Sequence, residues 1–327
     1  MSVAARFPVE TVKTAIERGL LRLNCLVSDD GTWLCHRHGI SNPGDRRIEQ
    51  NTFVGALGSL SLQSLDHPVA SDIRKRSRLR ILRTKEPLGL WRYWRELPPD
   101  ADSTSICNIA LGPHPALLGG WYEERLLRHR NEQGLFQTWL RDGEQNDADA
   151  VVNANVLACL GDTKGTRPAQ RWLNRIVQES TECAEIHYYW DSIDLFSAMA
   201  RARQYCSALF TEAVPRIVRR LQKLRNCDGS YGDGLRTAMA VTALRRLGTP
   251  LTPEESELTA RYLLDLQDED GGWPESPLSS GPEWPKPRAF VFTSLAFEIA
   301  CCVEALTALA DTGSHYGGHF AKSPAPA

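Results

Sequence analysis

The stretch LTPEESELTARYLLDLQDEDGGWPESP, residues 251–277, decides the fold. Thr252, Pro253 and Glu255 form a capping box with proline at the first helical position, so a helix starts there by satisfying its own free amides. The pattern ends near Gln267, and Gly271 and Trp273 follow in a proline-rich loop before an apolar helical pattern resumes over Phe292 to Leu309. The unit is therefore helix, glycine and aromatic loop, helix. The same glycine and ring, two residues apart, recur at Gly31 and Trp33, Gly89 and Trp91, Gly134 and Phe136, and Gly229 and Tyr231. Their period is about 45 residues, with one double gap holding a degenerate copy near Tyr188 to Trp190. That makes six units.

First helices open after Pro8, Pro68, Pro115 and Pro168 and are amphipathic, as in the alternation of Leu221 and Leu224 with Arg219, Arg220, Lys223 and Arg225. They belong outside. Second helices such as Val151 to Leu160 and Thr237 to Leu247 are apolar on almost every face, so they belong inside. Period-two patterns are scarce, and little or no sheet is expected. The expected fold is all-α: a single (α/α)6 toroid of six helical hairpins around a central cavity over residues 1–310, with a loose tail over 311–327.

Composition narrows the function. With 42% hydrophobic and 24% charged residues, the chain of 327 residues can bury a substantial core. Its 38 basic residues against 40 acidic give a net charge of -2, which supplies no bulk attraction for nucleic acid or an anionic membrane. The basic run from Arg74 to Arg83 reads as the wet side of a helix. Nine scattered cysteines lack the paired spacings of a zinc or disulfide framework, which points to a reducing, cytoplasmic setting. No apolar run suits a signal peptide or a membrane span.

The spacing of Gln267, Gly271 and Trp273 is similar to the glutamine and tryptophan repeat of the squalene-hopene and oxidosqualene cyclases, whose α/α toroid is shared by class II diterpene cyclases and protein prenyltransferase β subunits. The sequence Pro99-Asp100-Ala101-Asp102-Ser103-Thr104 resembles the acidic signature of class II terpene cyclases. On that resemblance Asp102 stands at the proton donor and Asp100 at the first carboxylate, while Ser103 replaces the third. A second acidic pair, Asp147 and Asp149, opens the third inner helix and supplies a neighbouring group for a shared proton or a divalent metal on a diphosphate. Asp191 and Asp194 extend the rim. Aspartate in a first helical turn is equally a good cap.

Trp91, Trp94, Trp121, Trp139, Tyr188, Tyr189 and Trp190 cluster near these acids, with rings able to stabilise a migrating carbocation or simply to fill seams between hairpins. The resemblance implies a class II-like cyclase acting on a prenyl diphosphate or other isoprenoid, with no required cofactor, Mg2+ entering if the substrate is a diphosphate. A lone toroid either holds its substrate in its own bore or recruits a partner domain or protein. The alternatives are a glycoside hydrolase-type (α/α)6 enzyme, a prenyltransferase β subunit and a non-catalytic lipid- or protein-binding toroid. For the prenyltransferase, Cys227, Asp228, His315 and His319 match a zinc site poorly.

Overall fold

A computed structural model describes residues 9–42, 44–112, 121–142, 146–282 and 285–311. Pro8, Pro115, His315, His319 and the expected tail from residue 312 lie outside them. Twelve α-helices run through the described residues: α1 Val9–Leu26, α2 Thr52–Ser61, α3 Pro68–Arg83, α4 Ala101–Leu111, α5 Trp121–Arg128, α6 Ala150–Leu160, α7 Arg167–Glu179, α8 Ser192–Tyr205, α9 Val214–Leu224, α10 Gly234–Arg246, α11 Pro253–Leu266 and α12 Leu295–Ala310.

Burial sorts them by parity. Every residue of α2 and α4 is buried, and α6, α8, α10 and α12 are buried over most of their length. In α9, by contrast, only Ile217, Val218 and Leu221 are buried, one stripe of an otherwise basic helix. The even-numbered helices pack in cyclic order, α2 on α4, α4 on α6, onward through α8 and α10 to α12, and α12 back on α2. Each starts with a side-chain cap: Asn51, Asp100, Asp149, Asp191, Asp233 and Ser294 accept from amides of the first turn.

The repeated loop residues are mortar between hairpins. Gly31 abuts Arg76 of α3, Gly134 abuts Pro168 of α7, Gly229 abuts Thr259 of α11, and Gly271 of the last hairpin abuts Arg18 of α1. At Gly271, φ is +88° and a Cβ would lie 2.5 Å from the Arg18 carbonyl oxygen, so both backbone angle and space require glycine. Gln267 completes that closing contact. Its Nε2 donates to the Ala15 and Gly271 carbonyls, and its Oε1 accepts from Arg18. The rings are equally structural: Trp33 donates to Ser77 Oγ, Trp91 to the Ile81 carbonyl and Trp273 to the Leu263 carbonyl, all three fully buried.

The expectation of little or no sheet fails. Strands β1 Leu34–Gly39, β2 Arg46–Gln50, β3 Ser279–Gly281 and β4 Phe290–Thr293 form an antiparallel sheet in the order β2-β1-β4-β3. It ties the last hairpin's loop to the first's, with His36 opposite Thr293 and Arg37 opposite Phe292. The expected helix from Phe292 therefore begins only at Leu295, after the Ser294 cap. Glu275 locks the sheet by accepting from Thr293 Oγ1 at 2.5 Å and pairing with Arg46, which also donates to His36 Nδ1.

Candidate active site

A cavity of about 290 Å³ opens where the first turns of α4 and α6 meet the loops and the small sheet. Two inner helices supply its floor, Asp100 and Asp102 at the start of α4 and Val152 on α6. Trp94, Trp139, Tyr188 and Tyr189 come from the connecting loops. Phe53 lies on α2 with its ring 5.8 Å from Tyr93, and β4 adds Phe290 and Phe292, the latter meeting Tyr93, Trp94 and Phe290 at 5.4–5.5 Å in tilted and edge-on contacts. Ser279, Ser280 and the exposed Lys286 provide the polar border. Aromatic rings make up most of the rest, with Leu97, Thr138, Val152, Gly281 and Pro282 between them.

Both carboxyls of the α4 start are buried, and burial is the largest influence on each. Asp102 is raised to about 6: loss of water favours the neutral acid, against the hydrogen bonds from Tyr189 and Asn155, which favour the anion. Tyr189 Oη lies 2.5 Å from its Oδ2, and Asn155 Nδ2 donates to its Oδ1 at 2.8 Å. Asp100 is pushed higher, to about 7, by burial and by the adjacent Asp102, although the Ser103 amide opposes the rise. Its Oδ1 accepts that amide at 2.6 Å as the helix cap, while Oδ2 is buried with no hydrogen-bond partner. A carboxyl without a partner for one oxygen is best kept neutral. The helix dipole, which favours the anion at this position, loses to desolvation.

The second acidic pair does something else. Asp149 caps α6 through Oδ1, accepting from Val151 and Val152, and its Oδ2 accepts from the amides of His187 and Tyr188. Asp147 accepts from His187 Nδ1 at 2.8 Å and from Tyr188 Oη at 3.0 Å. Together they pin the 187–188 loop so that Tyr188 and Tyr189 face the cavity, and neither carboxylate lines it. The expected four-carboxylate rim is thus corrected to one acidic pair plus a pair of loop anchors. Those donors do not fit a divalent-metal clamp, since both oxygens of Asp149 are already spent on backbone amides. No group of three or more His, Cys, Asp or Glu side chains able to hold a metal occurs among the described residues. Asp191 and Asp194 cap α8 and pair with the buried Arg236, away from the cavity.

Three expected rings also move out. Trp91 is sealed in a seam, Trp121 is 61% exposed at the start of α5, and Trp190 sits at the surface under the Arg288 guanidinium. None of the three borders the cavity. Conversely, Phe290 and Phe292 were not expected there. Their signal is the Phe-Val-Phe alternation after a proline-rich loop, which a helical reading of residues 292–309 absorbs. Asn155 and Arg201 were also unforeseen, although each is a polar residue in the buried part of an inner helix.

Solved structures resemble this arrangement over nearly its full length. The type II terpene cyclase MstE from Scytonema, in complex with geranylgeranyl dihydroxybenzoate as substrate, superposes with a TM-score of 0.72 at 17% identity, covering 92% of this chain and 98% of that one. The chain shares its fold with a type II terpene cyclase. A protein from Actinoplanes matches with a TM-score of 0.71 at 18% identity over 91% of this chain and 99% of its own. A possible member of the GH105 family from Salmonella enterica is less similar, with a TM-score of 0.61 at 13% identity over 95% and 96% of the two chains. No protein-family model and no curated protein matches the sequence. No helix among the described residues is long and apolar enough to cross a membrane.

Proposed function

We propose that the chain is a class II-like isoprenoid cyclase built as a single (α/α)6 toroid, with Asp102 as the acid that starts the reaction. The observation that carries this reading is a buried carboxyl, raised to about 6, at the wall of an aromatic cavity. Protonating an alkene needs an acid that keeps a usable protonated fraction near neutral pH, as a carboxyl raised to about 6 does and an ordinary aspartate does not, and a dry, ring-lined space in which the cation survives. In the step itself the Asp102 O–H bond breaks as a C–H bond forms at one alkene carbon. The cation on the other carbon is then attacked by the next alkene along the chain, closing a ring. Loss of a proton to a base or water ends the sequence and leaves a product isomeric with the substrate.

Asp100 assists in two ways. As a neutral neighbour it adds no charge against the carboxylate forming on Asp102, and as a cap it holds the first turn of α4 in place. As the proton leaves, Tyr189 donates to Oδ2 and eases the build-up of negative charge there. Trp94, Trp139, Tyr188, Phe290 and Phe292 shield the cation and exclude water. The fold-level likeness to MstE supports the reading without adding residue roles.

The cavity also limits the substrate. At about 290 Å³ it lies near the lower end of ligand-pocket volumes, which run from roughly 300 to 1,000 Å³, so a smaller isoprenoid suits it better than a triterpene precursor. The test is incubation with prenyl diphosphates and apolar polyenes, followed by a mass search for isomeric products. Turnover that survives Asp102→Asn in folded protein removes the donor assignment. Hydrolysed products would instead support the carbohydrate-type alternative, and binding without conversion a lipid-binding toroid.

A further inference from the structure

Behind Asp102 lies a hydrogen-bond chain with a fixed direction. Arg201, on α8 and 9% exposed, donates from Nη2 to Asn155 Oδ1 at 2.8 Å. A guanidinium has donors only, so the Asn155 oxygen must face Arg201 and its NH2 group must face the other way. That settles an amide orientation which shape alone leaves open. The NH2 meets Asp102 Oδ1, which therefore accepts. The Asn155 NH2 only donates whereas Tyr189 Oη can donate or accept, so in the neutral acid Oδ1 is the carbonyl oxygen and the hydrogen sits on Oδ2, directed at Tyr189 Oη, which turns to donate once the carboxylate forms.

We propose that Arg201 and Asn155 are positioning residues that keep the Asp102 hydrogen on Oδ2 and stabilise the carboxylate formed when it leaves. The catalytic consequence rests on the cyclase reading, but the hydrogen-bond direction does not. The interposed amide matters. A guanidinium in direct contact would hold the carboxyl ionised and useless as an acid. Through Asn155, Arg201 passes on a donor and a diluted field, and Asp102 remains protonatable. Asp100, Asp149 and Tyr189 surround Asp102 from the other elements. Tyr205, Arg246 and its ion-pair partner Glu304 surround Arg201, and among the described residues no carboxylate pairs with Arg201 directly.

The test needs no substrate. Protein labelled with 13C at the aspartate carboxyl carbon is titrated by NMR, with the Asp102 signal assigned by its loss in Asp102→Asn. Asn155→Leu removes the donor without adding a charge, and Arg201→Gln frees the amide to turn, so either variant is expected to raise the Asp102 midpoint by about one pH unit or more, with a smaller change at Asp100. Two variants guard against a folding failure in one, and circular dichroism confirms which are folded. A midpoint that stays put or falls in a folded variant overturns the proposal, and a purely structural role predicts that result with lowered stability. Because turnover is not measured, failure of the cyclase reading would show separately, as absence of product.

Discussion

At the residue scale, two neighbouring aspartates owe their properties to burial, and only one of them is engaged on both oxygens. Asp102→Asn removes the proton while keeping the shape and the Tyr189 contact, so turnover should fall by at least about 10²-fold, with a melting temperature at neutral pH no lower than that of the parent. A kinetic assay beside a melting curve checks this. Glu298 gives a stability prediction at a second site. Burial is the main cause that raises it from 4.5 to about 8, with the nearby Asp233 adding to the rise and the Ser276 hydrogen bonds opposing it. Its folded pKa lies above the unfolded one, so the folded state binds the proton more tightly. The resulting stabilisation is complete below the unfolded value and is lost as pH rises through about 8. Between pH 5 and 9 the melting temperature should drop, and Glu298→Gln should flatten that drop by on the order of 1–3 kcal/mol at the alkaline end. An equally steep fall in the variant contradicts the assignment. Asp102 stood out in the sequence because its spacing resembles a known signature. Asn155 and Arg201 were not, since one chain gives no sign that polar residues 46 positions apart meet in space.

At the element scale, helices were legible where caps and periodicity agreed, as at Thr252 and Glu255, whose reciprocal capping box is present. The sheet was not. Strand β1 is LCHRHG, with one buried residue and no alternation, and its partner β4 lies at the other end of the chain. Pairing so distant in sequence leaves no local pattern. The loop glycines were read as period markers, and their function is contact. Gly271→Ala should cost about 2–4 kcal/mol, because it adds a clash with the Arg18 carbonyl to the positive-φ penalty. Gly161→Ala, with φ +70° but nothing within 4 Å, should cost only about 1 kcal/mol. Urea denaturation of both variants measures the difference, and equal costs would show that the inter-hairpin contact contributes nothing.

At the scale of the whole molecule, cyclic packing of α2, α4, α6, α8, α10 and α12 means that no hairpin is terminal. A linear array loses stability one unit at a time; a closed one should fail as a whole. A chain ending at residue 250, without α11 and α12, is therefore expected not to fold, as seen by loss of the near-ultraviolet circular dichroism of its buried tryptophans. A cooperatively folded fragment contradicts closure. Closure also places the first and last loops side by side, which is how β4 comes to line the same cavity as the start of α4. The central claim, that Asp102 delivers a solvent-derived proton to an isoprenoid held in that cavity, is tested most directly by turnover in D2O with mass spectrometry. The account predicts a product isomeric with the substrate in H2O, heavier by about one mass unit in D2O, and absent with Asp102→Asn. A product that has gained the elements of water, or one that carries no deuterium, would contradict it.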